Sequence, residues 1–466
     1  MESYLDSRCD LMSYFFLKNS RLREVMIRGM KICYFLLVSL ILSQQGFAET
    51  AYIAVGKAKA KKTVLAFPKI NLLTQTPDQN GILKTIDQTV RFDLQFMDLF
   101  KFLSPAAFAD KSTGIALNQF KMSDWKGTGG DFLIKSALHF DKKSISYEAY
   151  LYEIRSSKAL VAKKYVGTLK EARTIAHTFA NDIVEKLTGL PGIFLTKIAM
   201  SCDRTKKKEI YVMDFDGSNV KQITNHRSIA IAPAWNSDGS KIAYSLFTRH
   251  KNNSKNIDLY EYSFLNNKIR LLSNRKGMNS GAAYHPIENI LALTMSFLGN
   301  PEIFSLNQGT KKVTRLTHSK GMDVDPIFSP DGKFLAFSSS RSGKPMIYKM
   351  QVNGTGLQRL TYAGRYNATP SWSPQNNKIA FAGWKDGHFD IFIMNPDGTR
   401  IERLTKNNGG NEDPYFSPDG NFLVFSSNRT GKKNIYVMNI DGTYVKRLTY
   451  GLGNCVSPKW SAPPRK

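Results

Sequence analysis

The chain has 466 residues, 42% hydrophobic and 12% aromatic, with 65 Lys and Arg against 38 Asp and Glu for a formal charge of +27. That length allows two or three domains, and the apolar content excludes a disordered polar chain. A charge of this sign suits nucleic acid, an anionic membrane or envelope surface, or a solvated basic exterior, and no predicted helix concentrates it.

Residues 26–48, MIRGMKICYFLLVSLILSQQGFA, carry basic Arg28 and Lys31, an apolar run from Ile32 to Leu42, and small residues at Gly46 and Ala48. This is the pattern of a cleaved secretory signal, and its apolar run is too short to span a bilayer as an anchor. Cys33 lies inside the run rather than behind a cleavage site, which argues against a lipoprotein. Residues 1–25 read as an upstream extension from an unused start codon, so residues 1–48 are expected to be absent from a mature chain beginning at Glu49. Losing their six basic and four acidic side chains takes the charge from +27 to +25. Export with that charge points to the anionic envelope and away from nucleic acid.

Residues 49–190 are expected to form a small α/β domain. After the basic lead AYIAVGKAKAKK comes a short strand, TVLAFPKI, then a helix whose Ile82, Ile86, Val90, Phe92, Phe96, Leu99 and Phe102 keep helical spacing. A strand from Phe132 to Leu138 precedes an alternating pair, ISYEAYLYEI and ALVAKKYV, with a turn at Arg155 to Lys158. The last element, LKEARTIAHTFANDIVEKLTG, is a helix with Thr168 as N-cap, Glu171 three residues on and Gly189 as its stop. There is no phosphate-cradling glycine loop, no HExxH and no Cys/His metal spacing, and His139 and His177 read as solvated or satisfied histidines.

Residues 191–466 repeat. The aromatic closing each first segment falls at Trp235, Tyr284, Phe328, Trp372, Phe416 and Trp460, and the last residue of the "RLT" segment at Thr224, Ser273, Thr317, Thr361, Thr405 and Thr449. Both series have intervals of 49, 44, 44, 44 and 44. Each period divides into four strand-sized pieces joined by SPDG-type and DGT-type tight turns, which is the blade of a β-propeller. The copies are out of phase with the chain: Ile193 to Thr224 lacks a first strand, and the last copy stops at Trp460. Pairing these ends gives an all-β six-bladed β-propeller closed by strands from both ends of the repeat region.

Cys202 and Cys455 flank equivalent points of that composite blade, so they should lie opposite each other, either as a disulfide on the seam or as two free thiols. The segments before each first strand share one face with the loops between second and third strands. These vary most between copies and bring Asp323, Asp325, Glu412 and Asp413 toward the channel mouth, with Arg249, Arg341, Lys385 and Arg429 on the loops behind. Such a funnel suits an entering peptide or protein segment. The DG pairs at Asp216, Asp331, Asp397, Asp419 and Asp441 read as turn formers.

The order of parts, the junction EKLTGLPGIFLTKIAM and the copies of "P-x-W/F-S-P-D-G … I-Y-V-M-D-x-D-G … R-L-T" resemble the TolB family, periplasmic propeller proteins of the Tol-Pal envelope system of Gram-negative bacteria. The resemblance implies a non-enzymatic, periplasmic interaction scaffold, without cofactor or metal, that supports outer-membrane integrity and constriction at division. It implies a Pal-type lipoprotein at the channel mouth, with Met278, Asn279, Gly281, Asp323, Val324, Asp325, Asn367, Thr369, Glu412 and Asp413 as the matching or neighbouring mouth positions. It also implies contact with TolA through the residues following Ala48, although AYIAVGKAKAKK is richer in lysine than the segment usual in the family. Association with the outer membrane would then be peripheral, through partners. The alternative is a propeller hydrolase or lyase acting on an envelope peptide or polysaccharide. No G-x-S-x-G elbow appears, and His226, His250, His285, His318 and His388 fall at different repeat phases, which does not suit a channel metal. A further reading keeps the scaffold with another ligand, such as peptidoglycan or a different lipoprotein.

Overall fold

A computed structural model describes residues 62–73, 78 and 81–464. The expected secretory signal, the start at Glu49 and the TolA-contacting segment lie outside the described residues.

The amino-terminal part is a mixed sheet with two helices on it. Strand β1 (Thr63–Ala66) runs parallel to β3 (Phe100–Phe102) on one side and β4 (Phe132–Phe140) on the other, and β2 (Asn71–Leu72) also pairs with β4. The antiparallel run continues through β5 (Ser144–Glu153) and β6 (Lys158–Thr168). Helix α1 (Ile82–Phe96) and helix α2 (Ala172–Thr188) bury Ile86, Val90 and Leu94 and, from α2, Phe179 and Ile183 in one core. α1 is shorter than its apolar spacing predicts. Asp98 takes φ 56°, the chain leaves the helix after Phe96, and Phe100 and Phe102 belong to an edge strand. Spacing cannot separate these outcomes because Leu99 and Phe102 are apolar in either geometry. At α2 the expected box is present, with Glu171 accepting from the Thr168 N–H at 2.7 Å and hydroxyl at 2.9 Å around a single 3₁₀ turn. Gly189, at φ 72°, closes the helix by donating to Glu185.

The carboxy-terminal part is a ring of six four-stranded antiparallel sheets. Five are consecutive in sequence. The sixth joins β30 (Cys455–Trp460) to β7 (Lys197–Cys202), β8 (Glu209–Asp214) and β9 (Lys221–Gln222), so both ends of the repeat region share one blade. Cys455 is in register with Cys202 and the two are joined by a disulfide. Trp460 Nε1 donates to Thr196 at 2.7 Å on the same seam.

The repeat markers are structural for identifiable reasons. Each aromatic ends the first strand of its blade, where a large ring fills the gap to the next sheet. The hydroxyls of Thr224, Thr317, Thr361, Thr405 and Thr449 each accept the N–H of an isoleucine on the third strand at 2.9 Å, a donor that the short fourth strand leaves over.

The small domain packs on the face of the ring that carries the SPDG and DGT turns. Phe96 stacks on Phe422 at 4.5 Å and meets Phe215 edge-on at 5.3 Å, and Arg173 forms an ion pair with Asp216. His177 Nδ1 lies 2.7 Å from the buried Asp93, so that histidine is satisfied within the junction. Asp93 is pushed up to about 6 by burial, with the His177 contact opposing. Asp216 thus exceeds its expected role: it shapes its turn by accepting from Ser218 and also ties the ring to α2.

Candidate functional site

The channel is built from the first strand of every blade. These strands share one irregularity: the pairing register slips between residues 231 and 234, 280 and 283, 324 and 327, 368 and 371, 412 and 415, and 456 and 459. At each slip one residue sits at positive φ: Ala232, Gly281, Asp325, Thr369, Asp413 and Ser457, between 49° and 58°. Left-handed backbone costs a non-glycine residue roughly 1–2 kcal/mol. A bulge occupied by such residues in five of six blades is a device that turns the strand, and one side chain per blade, toward the axis.

These six residues line a polar cavity of about 350 Å³ together with Ser280, Tyr415 and Lys459. Asp325 is pushed up to about 6 by burial and by Asp413, with Lys459 opposing. Burial holds Lys459 below its ordinary value despite the two carboxylates. Asp413 accepts from the Ser457 N–H at 3.0 Å and hydroxyl at 3.3 Å, bridging neighbouring blades. Lys459 lies over the Tyr415 ring at 4.7 Å, and burial pushes that phenol up to about 12. The far end of the channel is a second cavity of about 410 Å³, lined by the repeat aromatics and the prolines of the SPDG-type turns. One mouth therefore offers charge and hydrogen bonding, and the other aromatic surface.

Of the ten expected mouth positions, Gly281, Asp325, Thr369 and Asp413 line the polar cavity. Asn279, Asp323 and Asn367 do not. They begin their strands, are at most 5% exposed, and hold loops together behind the channel wall. Asp323 pairs with Arg341 at 2.6 Å, Asn279 bonds Ser273, Ile257 and Arg275, and Asn367 donates to Ala363. Strand alternation explains the split, since residues two apart share a face until the bulge intervenes. Glu412 faces Lys433 at 2.8 Å, while Met278 and Val324 are half-buried beside the cavity residues. The basic ring behind is correspondingly reduced: Arg341 is used by Asp323, and Arg429 by Asn411 and Ser427. Lys459 was not anticipated. Its signal was available, because the same repeat phase holds Ala234, Ala283, Ile327, Ser371 and Tyr415, and only one copy carries a charge.

Among the described residues no group of three or more His, Cys, Asp and Glu could hold a metal ion, and no helix is long and apolar enough to cross a membrane. Beyond geometry, the family model described as the TolB beta propeller domain matches residues 184–382 and 367–466. The chain belongs to the TolB family. The model described as the TolB amino-terminal domain matches residues 51–160. A Tol-Pal system protein TolB of Desulfosudis oleivorans is 35% identical over 262 residues, 56% of this chain and 58% of the relative. A protein TolB homolog of Chlorobium chlorochromatii is 36% identical over 260 residues, 56% and 57% of the two chains. The chain thus spans less than three-fifths of the length of these relatives. The crystal structure of TolB from Acinetobacter baumannii matches with a TM-score of 0.73 at 24% identity, over 88% of this chain and 99% of that one, a likeness of fold.

Proposed function

We propose that this TolB-family chain is a non-enzymatic periplasmic scaffold of a Tol-Pal envelope system, whose polar channel mouth captures a segment of a Pal-type lipoprotein. In this reading residues 49–190 are the small domain and residues 191–466 the receiving ring. The supporting observation is the cavity of about 350 Å³ in which six bulged strands present Asp325, Asp413 and Lys459. Two carboxylates and one amine in a confined, partly dehydrated site can discriminate an incoming peptide by charge, because pairing there is stronger than at an open surface. The names of the relatives favour the Tol-Pal setting. Contact with TolA through the residues following Ala48, peripheral outer-membrane association through partners, and a role in envelope integrity and division belong to the same proposal.

The test is binding of the soluble domain of a Pal-type lipoprotein to the purified chain. Asp413 also holds Ser457, so Asp325→Lys alone is the cleaner variant. It should weaken capture by about tenfold or more, the range seen when one partner of a close interfacial charge pair is lost, with the circular dichroism spectrum and disulfide unchanged. Unchanged affinity in the folded variant would refute the site.

A further inference from the structure

Basic side chains occur on both faces of the ring, but the loops of the polar-mouth face carry them with few acids beside them, whereas the opposite turns are rich in aspartate. In five blades a backbone hydrogen bond ties the inter-blade segment to the loop between second and third strands: Phe247 to Ile229, Ser296 to Met278, Ser340 to Met322, Trp384 to Tyr366 and Asn428 to Gly410. Both sets of loops therefore lie on the polar-mouth face. They read DRTKKK at 203–208, HKNNS at 250–254 flanked by Arg249 and Lys255, NRKGM at 274–278 and SRSGKP at 340–345, where Arg341 is paired with Asp323 and Lys344 remains, with Arg227, Lys320, Arg365 and Lys406 in the others. Asp203 and Asp386 are the acids of these loops, and each is occupied, Asp203 by Asn454 and Asp386 by Arg403. The opposite face carries the turn aspartates and is where the small domain packs. On the same segments Leu298, Met322, Tyr362 and Tyr450 are each more than half exposed, the two tyrosines lying beside Arg359 and Arg447.

We infer that these outer loops dock the ring, polar mouth first, on an anionic phospholipid surface. A broad basic platform with interspersed apolar and aromatic side chains fits the interface of a charged bilayer. Each Lys or Arg near such a surface contributes roughly fivefold to partitioning, while the apolar tips enter the headgroup boundary. The platform lies outside the channel, so the inference goes beyond lipoprotein capture and stands or falls separately from it.

The experiment is co-sedimentation of the full chain with vesicles of phosphatidylcholine containing phosphatidylglycerol, and with phosphatidylcholine alone, at low and high salt. Binding to the anionic vesicles only, lost at high salt, is expected. Lys206→Glu with Lys207→Glu should lower it about tenfold or more. Lys311→Glu with Lys312→Glu, the same charge change in a turn of the opposite face, should leave it nearly unchanged. Asp325→Lys should not weaken vesicle binding, whatever it does to lipoprotein capture. Equal losses from the two lysine pairs, equal binding to neutral vesicles, or retention on immobilised DNA without sedimentation on anionic vesicles would each overturn the inference.

Discussion

The channel carboxylate Asp325 is where residue chemistry and stability meet. Its pKa is raised from 3.8 to about 6, so the folded state favours its protonated form. The stabilisation that comes with protonation is fully present below the unfolded value of 3.8 and is lost as pH rises through about 6. At neutral pH the ring therefore carries an ionised group whose burial costs on the order of 1–3 kcal/mol, since each pKa unit is worth about 1.4 kcal/mol and the channel opening allows some hydration. Asp325→Asn should raise the thermal midpoint near pH 7.5, and the gain should shrink as pH falls through 6 and vanish by about pH 4. Melting curves of wild type and variant across that range check it. An Asn that destabilises at neutral pH would mean that the attraction of Lys459 outweighs the burial.

At the scale of the element, the repeated threonine ties fourth strand to third strand within a blade, and the copies grade its partners. Thr405 accepts the Ile391 N–H at 2.9 Å and donates to the buried Asp390 at 2.6 Å. Thr361 accepts the Ile347 N–H at the same distance, but its hydroxyl faces the sulfur of Met346. Thr→Val at either position leaves a buried N–H unpaired, which costs about 1–3 kcal/mol. Thr405→Val also takes a donor from a buried carboxylate, so it should destabilise more than Thr361→Val by about 1 kcal/mol or more. Denaturant unfolding of the two variants measures the difference. Equal losses would show that the carboxylate is held by its other partners, Arg403 through Nη2 and Nε and Asn411 through Nδ2.

For the whole molecule, closure is the decisive event. The seam joins strands from the two ends of the repeat region, and its disulfide links residues 253 apart in sequence. A cross-link over so long a loop restricts the unfolded chain strongly, and removing such a bond typically costs about 2–5 kcal/mol. Cys202→Ala with Cys455→Ala should lower stability by that amount, with amide exchange rising first in β7 and β30. Peptide mapping without reductant should recover the two cysteines in one cross-linked fragment. The junction to the small domain is a second long-range tie, because Arg173 and Asp216 come from different parts of the fold and meet beside the buried pair of His177 and Asp93.

The period of 44, the turn chemistry and the phase shift between the chain ends were enough to fix six blades and the composite one. Each is a local signal repeated, and sheets of this size have few ways to bury both faces. Sequence also placed Cys202 opposite Cys455, because strand register follows from repeat phase. It left open whether they bond and how far the helix after Ile82 runs, since apolar spacing there serves helix and strand alike. It did not separate Asp325 from Asp323. Both are acids in the same short segment, yet one opens onto the channel and the other is an ion-paired wall residue. The difference comes from a one-residue bulge at positive φ, which breaks the alternation of faces within the strand. It did not show that Asp216 would serve the domain junction, because its ion pair with Arg173 joins a turn of the ring to a helix of the small domain, a relation that only tertiary packing creates.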